Sequence, residues 1–453
     1  MALTGLDIYK LLPKTNCKKC GRPTCLAFAM QLAQKKANID ECPDISEQSK
    51  QTLGAASAPP IKLVTIGTGD RALKVGEENV LFRHDEKFYH PAGVGVSLSD
   101  SLPEGELDKK LEEIAKLRFQ RVGTEIALDL VAVQNDSGNK DTFARVVQKV
   151  ASHTNLLLIL VSQSQEAMAQ ALSVNGLASK RPLIYGANSQ NYEPMAKLAK
   201  EKNCPLGVYS SSLEEMADLT EKIKALGVNE MVLDYRGKGS KDALQGLTKI
   251  RRCALRKNFR PLGLPTITFL KDQDPYGEIV QAATYLCKYA SIIVLNSYEL
   301  WQVLPLLTAR QNIYTDPQKP VQVQPKLYEV GQVTPDSPVL FTTNFSLTYY
   351  SVEGEVEASR IPSYILAVNT EGTSVLTAYS GDKLNEKVVA KAMNNATVAE
   401  KVKHKKLIIP GLVAVMSAKL KDETGWEILV GPKEASGLPS YLKTTWDRHG
   451  KKG

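Results

Sequence analysis

Residues 142–162 read TFARVVQKVASHTNLLLILVS, an amphipathic stretch followed at once by an apolar run. The first part, Thr142–His153, reads as a helix. The second, Asn155–Ser162, has the length of a buried strand and falls well short of the ~18 apolar residues that span a bilayer. The same pairing repeats outward in both directions. Strands are expected at Gly93–Leu98, Leu130–Val133, Leu156–Val161, Leu183–Tyr185, Leu206–Tyr209, Met231–Leu233, Thr266–Leu270 and Ile292–Leu295. Helices such as Tyr192–Asn203, Ser212–Leu226 and Lys241–Lys257 fall between them. Eight strands alternating with helices over about 250 residues have the size and rhythm of a (β/α)8, or TIM, barrel.

The chain is longer than one barrel. At roughly 150 residues per domain, 453 residues suggest about three. Gly54–Pro60 (GAASAPP) reads as a linker behind a small N-terminal module, and Asp316–Pro338 reads as a second connector. Beyond it, strands are expected at Val339–Thr342, Ile365–Val368, Leu407–Ile409 and Ile428–Val430. Helices are expected at Leu384–Met393, at Leu412–Lys419 and after Gly431. This last part is too short for a barrel and reads as an open, Rossmann-like α/β sheet. The domains expected are therefore 1–58, 61–318 and 325–446, in an α/β protein.

Composition excludes several classes. Hydrophobic residues make up 43% and charged residues 23%, as in an ordinary soluble globular protein, and no run is long enough for a transmembrane helix. The start, MALTGLDIYKLLPK, carries Asp7 and Lys10 where a signal peptide needs an apolar core, so a cytoplasmic location is expected. The net charge of +8 is spread along the chain. Its densest run, Lys401, Lys403, Lys405 and Lys406, reads as a solvated helix end, so neither nucleic acid nor membrane is an expected partner.

The seven cysteines divide the sequence. Cys17, Cys20, Cys25 and Cys42 give C-x2-C-x4-C-x16-C-P within the first 43 residues. Cys204, Cys253 and Cys287 stand alone on apolar or amphipathic stretches and read as core residues. A reducing cytosol disfavours disulfides, so the clustered four read as a metal site. Zinc and a [4Fe–4S] cluster both accept four thiolates. Only one close pair is present, and Cys25 and Cys42 each arrive singly, which suits a cuboidal cluster better than paired zinc knuckles. Leu26–Ala33 reads as a helix with Thr24 and Cys25 at its N-terminus, where the dipole favours thiolate charge. Lys18, Lys19 and Arg22 stand beside the thiolates, either as solvated loop charges, as stabilisers of a reduced cluster, or as a greeting for an acidic electron donor.

Two sets of polar residues are placed for ligand binding. At the C-terminal ends of the barrel strands stand Asn135, Asp136, Asn188, Asp234 and Asn296, suited to a heterocycle such as a pterin or simply to helix caps. No histidine pair, metal-ligand cluster or nucleophile motif occurs in the barrel region, where His153 reads as structural, and no catalytic side chain is assigned. In the last domain each strand is followed by small or polar residues: Thr343–Ser346, Asn369–Ser374, Pro410-Gly411 and Gly431-Pro432. Such loops suit a phosphate or a large polar ring substituent, and helix caps need the same residue types. The motif D-x-H-x-x-G, which supplies histidine to cobalt in many cobalamin domains, does not occur, and His404 and His449 are the only histidines in this part.

The combination resembles the large (gamma) subunit family of the corrinoid iron–sulfur proteins of the acetyl-CoA (Wood–Ljungdahl) pathway. The resemblance rests on the four-cysteine module, the barrel and a last domain lacking D-x-H-x-x-G. It extends to the opening LTGLDIYKLLPKTNCKKCG and the segment NTEGTSVLTAYSG. It implies a [4Fe–4S] cluster on Cys17, Cys20, Cys25 and Cys42. It also implies a base-off cobamide in the last domain, held by Thr343, Ser346, Thr370, Glu371, Gly372, Thr373, Ser374, Gly411 and Gly431. The implied function is methyl carriage: cobalt cycles between Co(I) and methyl-Co(III), accepting methyl from methyltetrahydrofolate through a methyltransferase and passing it to acetyl-CoA synthase. The cluster would return accidentally oxidised Co(II) to Co(I). The implied partners are a small subunit forming a heterodimer, the methyltetrahydrofolate:corrinoid methyltransferase, acetyl-CoA synthase and a low-potential electron donor. The rival readings are a pterin-binding barrel methyltransferase acting on its own, and a redox or structural module that binds no corrinoid.

Overall fold

The computed structural model describes residues 4–33, 37, 39–50, 53, 59–270, 274–316 and 318–446. It divides into two compact units: the chain up to Phe119 with Ile126–Tyr314, and Gln120–Glu125 with the chain from Thr315 on. Most of the expected linker Gly54–Pro60, residues 54–58, lies outside the described residues, as does His449.

In the first unit, eight parallel strands follow in chain order: β1 (Gly93–Ser99), β2 (Leu130–Gln134), β3 (Leu157–Val161), β4 (Leu183–Ala187), β5 (Leu206–Ser210), β6 (Met231–Tyr235), β7 (Ile267–Phe269) and β8 (Ile292–Leu295). From β1 to β6 each pairs with the next, β7 pairs with β8, and β8 pairs with β1. A parallel bridge between Leu233 and Thr266, with Leu233 N–H donating to the Pro265 carbonyl at 2.9 Å, closes β6 onto β7. The sheet is a closed (β/α)8 barrel. Its strands read as unbroken apolar runs because both faces are buried. Leu130, Ala132 and Ile159 point into the interior, while Val131, Val133 and Leu160 pack outward against the helices. Burying each such large side chain contributes about 1.5–3 kcal/mol.

The run around Ile61–Gly67 forms a hairpin, Val64–Ile66 with Leu73–Val75, whose Val64, Ile66 and Val75 join the interior cluster. Thr65 N–H donates to Glu230 Oε1 at 3.1 Å and Gly67 N–H to the Arg181 carbonyl at 2.9 Å. Arg181 and Glu230 immediately precede β4 and β6, so the hairpin plugs the amino-terminal end of the barrel and leaves the carboxyl end for the loops.

The cysteine-bearing segment belongs to the same unit. Its helices are Gly5–Leu11, begun by a capping box between Thr4 and Asp7, and Cys25–Ala33, whose first turn is capped by Thr24 Oγ1 accepting from Ala27 N–H at 3.0 Å. They pack through Ile8, Leu12, Phe28 and Ala29. Of the three isolated cysteines, Cys204 is buried and Cys253 half-buried, but Cys287 is exposed. It ends the helix Pro275–Cys287 on the solvent side, so the core reading fails there.

The second unit holds a five-stranded sheet in the order β9-β11-β10-β12-β13. The strands are β9 (Leu327–Val330), β10 (Val339–Thr343), β11 (Ser363–Val368), β12 (Lys406–Ile409) and β13 (Glu427–Val430). Four are parallel. β9 is an antiparallel edge strand pairing Leu327 with Leu366 and Val330 with Ser363. It lies inside the expected connector 316–338, which is therefore more than a linker. Helix Ser346–Ser359 packs on one face through Tyr349 and Val356, against Leu340, Ile365 and Ile408. Helix Glu386–Asn395 packs on the other through Val389 and Met393, against Val339, Phe341 and Leu366. This is a doubly wound open sheet.

Candidate functional site

The four clustered cysteines come together at one end of the small N-terminal helix pair. Cys25 opens helix Cys25–Ala33, its N–H donating to Asn16 Oδ1 at 2.8 Å while Asn16 N–H donates to Cys25 Sγ at 3.4 Å. This reciprocal pair folds the loop carrying Cys17 over the helix N-terminus. Cys25 and Cys42 are buried, and Cys17 and Cys20 are half-buried. Burial pushes the Cys42 thiol up, and negative charge on Cys20, Cys17 and Cys25 pushes the same way, so the four sulfurs sense one another. Among the described residues no three ligand-type side chains are gathered tightly enough to hold a single metal ion. A cuboidal cluster spreads its four thiolates over separate irons and asks for wider spacing than one tetrahedral ion.

The loop backbone has a matching feature. Lys14, Asn16 and Lys18 have φ of 60°, 49° and 61°, while Thr15 and Cys17 between them are not left-handed. Left-handed residues at alternate positions fold this loop tightly around Cys17. Lys19 and Arg22 are not free beside the thiolates: Lys19 pairs with Asp44 at 3.0 Å and Arg22 with Glu41 at 3.5 Å.

The second candidate lies at the carboxyl edge of the open sheet. The chain leaves β10 for β11 on one side, and β12 lies on the other side of β10, so the strand order reverses between β10 and β12. A cavity of about 350 Å³ opens there, lined by Thr342, Leu347, Ser374, Leu376, Pro410 and Gly431 among others. Ser374 and Gly431 of the sequence-derived set line it. Thr343, Ser346, Thr370, Glu371, Gly372, Thr373 and Gly411 stand in the same loops, outside its lining.

The local chemistry asks for a ligand. Thr342 and Thr343 bury their hydroxyls without any hydrogen-bond partner among the described residues. Each such orphan costs about 1–3 kcal/mol if left unmet. Gly411 approaches the β13 loop so closely that a Cβ there would lie 2.5 Å from the Gly431 carbonyl and 2.9 Å from Lys433 N. The loops carry exposed apolar side chains, with Leu376 50% and Val415 72% exposed, and Leu347, Tyr379, Leu412 and Val430 also exposed. Leu347, Leu376 and Leu412 line the crevice together with Leu340, Phe341, Ile408 and Ile409 from the strands, a mostly apolar surface suited to the face of a large ligand.

One organiser of this edge, Asn344, was visible in the sequence only as a loop residue. It is 1% exposed. Its Oδ1 accepts from Thr370 N–H at 2.9 Å, Thr370 Oγ1 at 3.2 Å and Gly372 N–H at 3.1 Å; its Nδ2 donates to Gln322 Oε1 at 3.0 Å and Asn369 Oδ1 at 3.4 Å. Thr370 and Thr373 close the turn reciprocally, hydroxyl to carbonyl, at 3.0 and 2.7 Å. Glu371 points away, exposed and paired with Lys383 at 2.5 Å, which holds its carboxyl below the usual range.

The polar residues at the barrel mouth are largely engaged with one another. Asn188 donates to Tyr209 at 2.6 Å, Asn296 to the Leu270 carbonyl at 2.9 Å, and Asn135 to Ser162 at 2.9 Å, leaving Asn135 Oδ1 without a partner among the described residues. Asp234 bonds the Tyr185 hydroxyl, and Arg236 lies over the Tyr209 ring at 3.5 Å while donating to Tyr185 at 2.9 Å. Asp136 is exposed.

A four-thiol module, a closed barrel and a doubly wound sheet with a crevice at its switch point define a modular α/β protein. A family model described as "CO dehydrogenase/acetyl-CoA synthase delta subunit" matches residues 63–442, and one described as "Putative Fe-S cluster" matches residues 12–43. The chain is 48% identical to the corrinoid/iron–sulfur protein large subunit of Moorella thermoacetica, over 98% of this chain and 99% of that one. It is 39% identical to the acetyl-CoA decarbonylase/synthase complex subunit gamma of Methanothermobacter thermautotrophicus, over 98% and 99%. The chain belongs to this family of corrinoid/iron–sulfur protein large subunits. Among solved structures, a dihydropteroate synthase from Vibrio fischeri ES114 matches 55% of this chain and 97% of its own, with 14% identity and a TM-score of 0.41. Among the described residues no helix is long and apolar enough to cross a membrane.

Proposed function

We propose that this chain is a methyl-group carrier, with a [4Fe–4S] cluster on Cys17, Cys20, Cys25 and Cys42 and a base-off cobamide at the carboxyl edge of the open sheet. The observation that carries the reading is the crevice at the β10/β12 switch point, with Thr342, whose hydroxyl lacks a partner among the described residues, in its lining and exposed apolar side chains beside it. When bound, the corrinoid would supply a cobalt nucleophile for carrying methyl between methyltetrahydrofolate on a methyltransferase and acetyl-CoA synthase, and a cluster on Cys17, Cys20, Cys25 and Cys42 would supply the electron for its reduction.

The protein's own part is positional. Asn344 holds the 370–372 turn in place through three accepted hydrogen bonds, so Ser374, which follows that turn and lines the cavity, meets the cofactor pre-ordered. Gly411 and Gly431 keep two loops close enough for a ring to lie over backbone. Leu376, Leu412 and Val415 shield the ring flank from water. No side-chain acid or base is required, since the nucleophile belongs to the cofactor. No histidine need reach the cobalt: His404 lies just before β12, at the opposite edge of the sheet, bonded to the Ser337 carbonyl at 2.9 Å.

The proposed modules are 1–58 for the cluster, 61–318 for the barrel and 325–446 for the corrinoid. The barrel serves as scaffold and docking surface. The partners are the small subunit in a heterodimer, the methyltransferase, acetyl-CoA synthase and a low-potential electron donor, all in the cytoplasm. Metal analysis of anaerobically purified protein tests the cofactor assignment. About four iron and one cobalt per heterodimer, with little zinc, are expected. Zinc in place of iron, or iron without cobalt after supply of cobamide, would refute it.

A further inference from the structure

The small module carries a surface that the cofactor assignment does not use. Leu6, Leu26 and Met30 are 57%, 38% and 44% exposed. Leu26 and Met30 lie one turn apart on the same face of helix Cys25–Ala33, and Gly5, beside Leu6, packs on the Met30 side chain. Leu26 and Met30 form one apolar strip, which Leu6 flanks across the Gly5–Met30 contact, and Leu26 adjoins Cys25 directly.

Charge around this patch is uneven. Lys10, Lys19, Arg22 and Lys50 are paired with Asp7, Asp44, Glu41 and Asp40 at 3.1, 3.0, 3.5 and 2.7 Å. Lys14 and Lys18 are exposed, and among the described residues neither is paired with an acid. They stand two residues to either side of Asn16, whose reciprocal bonds to Cys25 bring both to the same end of the helix as Leu26. Their left-handed backbone belongs to the loop that carries Cys17 and Cys20. An apolar centre with unneutralised positive charge at its rim, one residue from a thiol ligand, is the chemistry of a transient docking site for an acidic protein.

We propose that this face is the electron entry surface. An acidic, low-potential iron–sulfur electron carrier docks with its acidic rim on Lys14 and Lys18 and its apolar centre on Leu6, Leu26 and Met30. The carrier is oxidised by one electron and the cluster held by the four cysteines is reduced by one; no proton or leaving group moves. The proposal rests on the cluster reading given above.

The test uses the full-length chain in its heterodimer, with iron content and the cluster's spectroscopic signal established first. The rate of cluster reduction is followed on mixing with a pre-reduced acidic ferredoxin, and in parallel with dithionite. Binding of the oxidised ferredoxin is measured separately, with salt varied in every series. Lys14→Glu/Lys18→Glu is expected to slow reduction by ferredoxin about 10-fold at low salt and to weaken binding in parallel. The gap closes at about 0.5 M salt, where the Debye length has shrunk to a few ångströms. Leu6→Ser weakens binding a few-fold at every salt concentration. Dithionite reduces all variants alike. Intact cluster with ferredoxin rates and binding unchanged by the charge reversal overturns the surface alone. Protein that never assembles a cluster overturns the cofactor reading, and the surface with it.

Discussion

Asn344→Ala is the most informative substitution at the sheet edge, because its effect can be worked out from the hydrogen bonds it removes. The side chain is 1% exposed and its Oδ1 satisfies the buried N–H groups of Thr370 and Gly372. Truncation leaves both without an acceptor, and Gln322 and Asn369 lose the Nδ2 donor. Each buried group left unmet costs about 1–3 kcal/mol. Water entering at the loop relieves part of that, so the second unit should lose about 2–4 kcal/mol of stability. The backbone bonds of residue 344, N–H to the Val368 carbonyl and carbonyl from Val323 N–H, both at 2.9 Å, survive the change, so the sheet should still form. Trp426 and Trp446 are buried in this unit, at 6% and 5% exposure, and a Trp301→Phe background removes the remaining tryptophan. Urea unfolding followed by fluorescence in that background gives the stability loss directly. Cobamide retention on dialysis gives the functional loss, expected at about 10- to 100-fold because the 370–374 turn must then be ordered on binding. A stability loss below about 1 kcal/mol with undiminished cobamide retention would refute the role assigned to Asn344.

Three further outcomes follow from the same geometry. Cys42→Ala should abolish the broad visible absorption of the cluster and lower iron content well below that of the parent, with far-UV circular dichroism unchanged; full iron retention would contradict the ligand assignment. Gly411→Ala drives a Cβ against the Gly431 carbonyl and Lys433 N, backbone atoms that cannot rotate away, and should cost about 1–3 kcal/mol along with cobamide retention. Gly354→Ala, in helix Ser346–Ser359 with nothing within 4 Å, should instead stabilise by up to about 1 kcal/mol, and the pair is compared by urea midpoint. His404 accepts from Lys406 N–H at 3.2 Å and donates to the Ser337 carbonyl at 2.9 Å. Burial, reinforced by Lys406, holds its folded pKa below the ordinary 6.5 against the opposing pull of the Ser337 bond and Asp336. The unfolded chain therefore takes up its proton first, and stability falls as pH drops below about 6.5 toward the folded pKa. His404→Gln should flatten that part of the pH profile of urea midpoints; an unchanged profile would show that His404 does not contribute to it.

The barrel was legible because its strands are buried on both faces. LLILV in β3 and LIYGA in β4 needed no partner to be recognised, and the helices between them begin at caps such as Asn139 and Ser212. β9 was not legible. Leu327–Val330 is short, half exposed, flanked by Pro325 and Gly331, and is fixed by pairing with β11 some forty residues away. The hairpin at Val64–Ile66 showed its apolar character but not its role as a barrel plug, since that depends on Arg181 and Glu230. At the open sheet, the small-residue loops expected from sequence lie at the carboxyl edge of the strands, beside the cavity. Their spacing says nothing of which members face the cavity, so Leu347 and Leu376, which the sequence did not single out, line it while Glu371 turns to Lys383. Asn344 gave no signal distinguishing an organiser from an ordinary loop asparagine, because its five side-chain hydrogen bonds go to Gln322, Asn369, Thr370 and Gly372, more than twenty residues away. In the cysteine module, spacing named four thiols, while the left-handed loop at Lys14, Asn16 and Lys18, all non-glycine, could be seen only in three dimensions.

The central claim is that methyl travels on a cofactor held by this chain. It is tested most directly by incubating reduced heterodimer with isotopically labelled methyltetrahydrofolate and the partner methyltransferase, then separating the proteins anaerobically. The account predicts about one labelled methyl per cobalt travelling with the heterodimer, released when acetyl-CoA synthase is added. Label that fails to bind cobalt-loaded protein, or that is carried equally well without cobalt, would contradict it.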